Sequence, residues 1–275
     1  MTTELLSGIK ANVPDAYKNY SIEVHRIKKL NQCLDGICML DKNEHTAVSP
    51  VIYAEELYNS YIDGTSLEEV IKTATDLLFE NFETTTDMNL DNIKESIVPV
   101  LTTQKVNEDM IHIPFLDMEI LFRWIIKRDE NGVFGTMITN EVAKAFDLDT
   151  DNILEKAKEN MKKIMPVSVM SLKTAIPEYK FSSDDMPVFV LSNKYSIDGA
   201  AYILDDSVLQ QLHDIFKKGF YILLPCVHEA LIIPKGVMSE TTLKQDAQSV
   251  AKSITDPEEK LTPCLYKYDG SISWI

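Results

Sequence analysis

Two short apolar runs constrain the fold of this chain more than any other feature. The first run spans Phe220–Leu224 and the second spans Ala230–Ile233, and the break between them contains Pro225 and His228. Runs of this length on either side of a turn signal predict two strands in an antiparallel hairpin. Neither run alternates apolar with polar residues, so we expect both faces of the hairpin to be covered by other structure.

The same order of elements, a strand pair followed by a helix, recurs along the chain. Alternating apolar and polar residues predict a strand over Ser21–Lys28, which pairs with a second strand over Leu34–Leu40. Apolar residues at helical spacing predict helices over Asp151–Ile164 and near Thr241–Ile254. Strands that follow each other through tight turns favour antiparallel pairing. The sequence therefore predicts an α+β fold: antiparallel sheets built from strand-hairpin-plus-helix units, with helices packed on one face.

Other local signals predict where further elements begin. Ser49 followed by a proline predicts the start of a helix, and residues 65–68 have the pattern of a capping box that begins the next one. A third helix is predicted over Asp91–Leu101. A strand over Ala200–Leu204 is expected to pair with Val188–Leu191.

At 275 residues the chain is long enough for one large domain or two small ones. A polar tract at 83–91 is the best candidate for a link between two parts. We therefore predict an N-terminal hairpin-plus-helices subdomain over residues 1–85 and a C-terminal α+β subdomain over residues 86–275. The alternative is one continuous domain.

The charge balance argues against one large class of partner. Asp and Glu number 43 against 27 Lys and Arg, which gives a net charge of −16, and arginine occurs at positions 26, 123 and 128 alone. Nucleic-acid binding relies on a cationic stripe or on arginine forks that neutralise phosphates. We therefore expect no direct nucleic-acid binding. Electrostatic steering instead favours a protein partner with a basic surface.

Compartment is predicted from the apolar runs and the cysteines. The longest apolar runs are strand-sized, well below the roughly 18 residues that a membrane helix needs. The first residues, MTTELLSGIKANVP, lack the basic segment and the apolar core of a secretory signal. The four cysteines, at positions 33, 38, 226 and 264, show no Cys-x-x-Cys spacing. We expect a cytoplasmic protein with four reduced thiols and no association with membranes.

His228 and Glu229 are the one compact pair of potentially reactive side chains in the sequence. Such a pair could bind a metal or transfer protons. However, neighbours on a strand point to opposite faces, and no second histidine follows at the zinc-protease spacing. Cys226 is a candidate nucleophile, but its apolar flanks would raise the thiol pKa. The acidic run at 147–151 resembles a calcium loop, yet Lys158 stands where a bidentate Glu is required. We predict neither a metal site nor a cofactor.

Several stretches resemble one uncharacterised bacterial family, catalogued only as a domain of unknown function. The matching stretches are collinear and cover nearly the whole chain, at residues 49–70, 113–125, 137–148, 157–172, 188–204, 221–234 and 257–270. The positions that look like family signatures are Asp117, Asn140, Asn193, Gly199, Ala200, His228 and Glu229. The family is common in gut Gram-positive bacteria, often near mobile elements, and is distantly similar to the YtpQ-like proteins. The resemblance implies no activity, because none is assigned to the family.

One departure from the family pattern bears on chemistry. Members usually carry a serine pair shortly before the His-Glu, where this chain has Pro225 and Cys226. The signature therefore indicates turn geometry. We interpret the chain as a non-enzymatic macromolecule-binding protein with an acidic surface, and the resemblance implies a regulatory, defence or counter-defence role. The alternative is a hydrolase with an unfamiliar site around His228, Glu229 and Asp117.

Overall fold

The computed structural model describes residues 2–30, 32–41, 51–86, 90–103, 108–129, 132–175 and 187–275. The chain divides into two compact units, residues 1–90 and 91–275. Both units combine antiparallel strands with helices, so the predicted α+β class is confirmed. None of the described helices is both long enough and apolar enough to cross a membrane.

The described part of the first unit is a three-stranded sheet with three α-helices and one short 3₁₀ helix. Its elements in chain order are α1 (Thr2–Ala11), a 3₁₀ helix (Asp15–Tyr17), β1 (Tyr20–Lys29), β2 (Gln32–Asp41), β3 (Val51–Tyr53), α2 (Ala54–Ile62) and α3 (Leu67–Thr86). The strand order is β1-β2-β3, and β1 and β2 form the predicted hairpin. One apolar core joins the sheet to the helices, and it includes Leu5 of α1, Ile37 of β2 and Leu78 of α3, all fully buried.

Two helix starts in this unit differ from the sequence prediction. The Ser49-Pro50 signal lies outside the described residues, and the helix begins at Ala54 because Val51–Tyr53 instead pairs with β2 as a third strand. The capping box lies one residue later than predicted. The Glu69 carboxylate accepts the Ser66 N–H at 3.3 Å, and the Ser66 hydroxyl accepts the Glu69 N–H at 3.2 Å.

The described residues of the second unit form two sheets. Its elements are a 3₁₀ helix (Leu90–Glu95), β4 (Ile97–Thr103), β5 (Ile113–Phe115), β6 (Met118–Asp129), β7 (Gly132–Met137), α4 (Asn140–Ala145), α5 (Thr150–Ile164), β8 (Val167–Ser171), α6 (Leu172–Ala175), β9 (Phe189–Asn193), a 3₁₀ helix (Gly199–Leu204), α7 (Asp206–Phe216), β10 (Phe220–Cys226), β11 (Glu229–Pro234), α8 (Glu240–Ser253), β12 (Leu265–Tyr268) and β13 (Ile272–Trp274). The larger sheet has the order β13-β12-β10-β11-β9-β8, and the smaller one joins β4, β5 and β7 to β6.

The predicted hairpin of β10 and β11 is confirmed and lies at the centre of the larger sheet. All seven residues of β10 are buried, whereas β11 is only partly buried at Glu229, Leu231 and Pro234. On one face Tyr221 and Leu223 pack with Leu243 and Ala247 of α8. On the other side the Phe220 ring contacts Phe216 of α7, with ring centroids 5.9 Å apart.

Two predicted elements of this unit are wrong. Instead of a helix, Asp91–Leu101 forms the end of a 3₁₀ helix and then β4, whose pairing with β6 outweighs a weak helical pattern. Pro99 lies within β4 at the edge of its sheet, the position where a strand tolerates a proline. Ala200–Leu204 is a buried 3₁₀ helix rather than a strand. β9 pairs with β8 and β11 instead.

Candidate functional site

The turn that joins β10 to β11 carries His228, and both the ring and the backbone of this residue are held by neighbouring structure. The Asp198 backbone N–H donates to His228 Nδ1 at 3.2 Å. The Ser192 hydroxyl donates to the His228 carbonyl at 2.7 Å. Because an N–H donates only to an unprotonated ring nitrogen, Nδ1 serves here as an acceptor. His228 Nε2 lies 3.7 Å from a carboxylate oxygen of Glu259.

Position 199 requires a glycine because the backbone there approaches this turn closely. A Cβ at Gly199 would lie under 3.0 Å from the His228 carbonyl oxygen and from Ser192. The next residue, Ala200, is fully buried and donates its N–H to the Val227 carbonyl at 3.1 Å. The two signature positions therefore bring the 3₁₀ helix and the His228 turn together, and glycine is the residue that fits.

Replacing Gly199 by alanine is expected to lower the free energy of unfolding by roughly 1–3 kcal/mol, because the new methyl group overpacks a closed contact. Denaturation followed by tryptophan fluorescence would measure the change, since both tryptophans, Trp124 and Trp274, belong to the second unit. His228→Ala should not restore stability in this background, because it leaves the backbone carbonyl in place. Wild-type stability for Gly199→Ala would contradict the packing argument.

Asn193 and Asp198 shape the loop that faces the His228 turn. Asn193 is buried; its side-chain amide donates to the Ile197 carbonyl at 2.6 Å, and its side-chain oxygen accepts the Tyr195 N–H at 2.9 Å. Asp198 has a left-handed backbone with φ of 54° and a buried carboxylate. Arg123 of β6 donates to that carboxylate through Nε at 2.6 Å and through Nη2 at 3.4 Å. This ion pair joins the smaller sheet to the loop of the larger one.

Glu229 and Cys226 occupy positions where burial disfavours charge. Burial raises the pKa of the Glu229 carboxyl, and the neighbouring His228 offsets part of that rise. Burial likewise raises the pKa of the Cys226 thiol, as its apolar flanks predict. All four cysteines are unpaired in the structure. A raised pKa leaves a smaller fraction of the reactive thiolate at neutral pH, which argues against Cys226 as a nucleophile.

Asp117 belongs to a different set of contacts from His228 and Glu229. It follows Leu116, whose backbone is left-handed, in the turn between β5 and β6. Its two carboxylate oxygens accept hydrogen bonds from the Thr262 hydroxyl, at 2.7 Å, and from the Tyr266 hydroxyl. The pKa of Tyr266 is raised, chiefly by burial and to a smaller extent by the hydrogen bond to Asp117. Asp117 therefore fastens the turn to the segment that leads into β12.

Asn140 lies apart from both sets of contacts, at the first position of α4. Its side-chain amide donates to the Glu108 carbonyl at 2.9 Å, and its backbone N–H donates to the Asp109 carbonyl at 2.7 Å. The helix cap itself is Thr139, whose hydroxyl accepts the Val142 N–H at 3.2 Å. Asn140 thus holds the start of α4 against the preceding segment.

The structure brings together three predicted residues, Gly199, Ala200 and His228, and Asn193 holds the loop that precedes Gly199. The same contacts include three residues that the sequence analysis did not select: Ser192, Asp198 and Arg123. Arg123 carried a signal, since it is the one charge within the apolar run at 120–126, and a charge that is buried requires a partner. In the acidic run at 147–151, the Asp149 carboxylate accepts a hydrogen bond from the Asn152 side chain at 2.9 Å. Within the described part of the chain, no three His, Cys, Asp or Glu side chains are placed to hold one metal ion.

The chain belongs to a family of unknown function, DUF5688, whose family model matches residues 2–270. No curated protein and no solved structure matches the chain. Membership confirms the predicted resemblance to a family of unknown function over nearly the whole chain, and it brings no activity with it.

Proposed function

We propose that this protein is a non-enzymatic binding protein whose first unit recognises a protein partner with a basic surface. The observation that carries the proposal is an exposed acidic face on α2, on α3 and on the turn between them. We call it the acidic face and define it by seven exposed carboxylates: Glu55, Glu56, Asp63, Glu68, Glu69, Asp76 and Glu80.

The acidic face carries far more negative than positive charge. Between residues 54 and 80 a single basic residue, Lys72, accompanies these seven acids. Glu69, Lys72 and Asp76 also line an open cavity of about 570 Å³ together with Thr65 and Thr73. A concentrated negative potential of this kind speeds the encounter with a basic surface and sets its orientation.

Exposed apolar side chains accompany the carboxylates. On α2, Tyr58, Tyr61 and Ile62 are 46%, 44% and 61% exposed, and Leu77 on α3 is 42% exposed. Tyr58 and Ile62 are four residues apart and share one side of the helix with Glu55. Protein interfaces favour aromatic anchors within a polar rim, and tyrosine is enriched among their hot spots. The acidic face thus combines charge for steering with apolar groups that gain from burial.

The signature residues support binding over catalysis. The contacts of His228 and Asp117 hold turns and loops in place, and the structure assigns the two residues to different sets of contacts. A hydrolase around His228, Glu229 and Asp117 would need these groups to converge on one substrate atom. We therefore place the signature in the framework of the second unit.

The finer parts of the proposal rest on the family resemblance and on the cysteines. A regulatory, defence or counter-defence role and a mobile-element origin rest on the family resemblance alone. A cytoplasmic location is supported by four cysteines that remain unpaired in the structure. Protein-binding and regulatory roles both need the acidic face to be accessible.

The proposal is tested by identifying a partner through cross-linking in native cells and then measuring association rates with the purified pair. Association should slow at least roughly tenfold between low and high salt, since salt screens steering beyond about 10 Å at 0.1 M. Asp63→Lys with Asp76→Lys should slow association at low salt. Tyr58→Ser with Ile62→Ser should speed dissociation.

A matched control reverses two carboxylates of helices in the second unit, Asp214→Lys and Asp246→Lys, and so makes the same change in net charge. This control should leave both rates close to those of the parent. A partner whose association ignores salt, or responds equally to both double reversals, would overturn the acidic face as the recognition surface. Turnover of a substrate that disappears in His228→Ala would instead favour the hydrolase.

A further inference from the structure

β8 is the last strand of the larger sheet and pairs on one side only among the described residues. Its single neighbour in the sheet order is β9. Its apolar side chains are unusually exposed, at 43% for Val167, 42% for Val169 and 38% for Met170. The sequence of the strand, VSVMS, contains none of the lysine, proline or acidic residues that natural edge strands use to prevent pairing.

The hydrogen bonds to β9 show which backbone groups face outward. Lys194 donates its N–H to the Pro166 carbonyl at 2.9 Å, and Leu172 donates its N–H to the Val188 carbonyl at 2.8 Å. Bonded residues alternate along an antiparallel pair, so the even-numbered residues of β8 bond to β9. The N–H groups of Val167, Val169 and Ser171 therefore point to the open edge, as do the C=O groups of Val167 and Val169. Ser171 also directly precedes α6, where its hydroxyl accepts the Thr174 N–H at 3.2 Å.

Exposed cations bracket this edge although the chain as a whole is acidic. Arg128 donates to the carbonyls of Lys163 and Ile164, at 3.5 and 2.7 Å, just before β8. These acceptors are neutral, so the bonds leave the charge of Arg128 in place. Lys163, four residues before β8, and Lys173, two residues after it, are exposed. Among the described residues, each end of the edge thus carries an exposed cation in a chain of net charge −16.

We propose that β8 accepts an extended segment of another protein as a further strand of the larger sheet. The backbone edge supplies main-chain hydrogen bonds, and Val167 and Val169 favour apolar residues at alternate positions of the incoming strand. The flanking cations select acidic residues at both of its ends. This surface belongs to the second unit, and its partner chemistry is opposite to that of the acidic face.

A second copy of this chain fits the same edge less well. Antiparallel self-pairing centred on Val169 would place Lys173 of each copy beside Lys163 and Arg128 of the other. Like charges brought together in this way disfavour association. The structure therefore favours a hetero-partner with acidic flanks.

The test uses the full chain and a synthetic nine-residue peptide with three valines at alternate positions, threonines between them and two acidic residues at each end. Fluorescence polarisation should show binding, and amide hydrogen exchange should slow at Val167, Val169 and Ser171 more than at Ser168 and Met170. Val169→Pro, which removes one outward N–H and leaves the β9 ladder in place, should weaken binding about tenfold. Val169→Thr keeps the N–H and should bind within about twofold of the parent.

The charge requirement has its own controls. A peptide with lysines in place of the acids should bind at least about tenfold more weakly, and Lys163→Glu with Lys173→Glu should reverse the preference. Lys244→Glu with Lys252→Glu on α8 makes the same charge change elsewhere and should alter nothing. No binding up to about 1 mM peptide, protection without the odd-even pattern, or self-association at Val169 would overturn the proposal. Variants of the acidic face should bind the peptide normally, so the two proposals fail separately.

Discussion

Replacing Arg123 by alanine is expected to lower the free energy of unfolding by about 3–5 kcal/mol. The Asp198 side chain is 2% exposed, so loss of the guanidinium leaves a buried carboxylate without its charge partner. Asp198 also donates its backbone N–H to His228, which couples the ion pair to the turn between β10 and β11. Urea denaturation followed by tryptophan fluorescence would measure the change, since Trp124 lies on the same strand as Arg123.

The control is the double variant Arg123→Ala with Asp198→Asn. Asparagine tolerates the left-handed backbone of position 198 and removes the charge that lacks a partner. The double variant should therefore recover at least about 1 kcal/mol of what Arg123→Ala alone loses. A cost for Arg123→Ala below about 1 kcal/mol, within the range of an exposed pair, would show that the ion pair is not part of the framework.

Elements with a strong, extended signal could be predicted from the sequence. The hairpin of β10 and β11 and the amphipathic helix α5 form where the apolar pattern places them. Gly199–Leu204 was harder because a short run of small and apolar residues suits a buried strand and a buried helical turn equally well. Its conformation depends on its fit against the His228 turn, a contact between segments distant in sequence.

The site shows the same limit. The sequence singled out His228 because it forms a compact pair of potentially reactive side chains with Glu229, yet it did not reveal what the His228 ring binds. That partner is the backbone N–H of Asp198. Because almost every residue has a backbone N–H, the sequence does not indicate which one donates to the ring. Arg123 was visible as the one charge in the apolar run at 120–126, but its pairing with Asp198 spans 75 residues of sequence. An ion pair between residues so far apart in sequence can be identified only once the fold is known.

The second large effect is expected at the centre of the larger sheet. Ile222 is fully buried in β10, where it pairs with Ile232 of β11 on one side and with Tyr266 of β12 on the other. Replacing it by alanine should cost roughly 2–4 kcal/mol, because the lost apolar contacts leave a cavity that two hydrogen-bonded neighbours prevent from closing. The same fluorescence-detected denaturation would measure this loss.

Leu231 provides the matched comparison, since it lies on the adjacent strand of the same hairpin but is only partly buried. Leu231→Ala removes a side chain of the same size, and a smaller loss of contacts should make it less costly than Ile222→Ala. Equal costs would mean that partial exposure of Leu231 does not reduce its contribution. A change below about 0.5 kcal/mol for Ile222→Ala would place β10 at the periphery, against its burial along all seven residues.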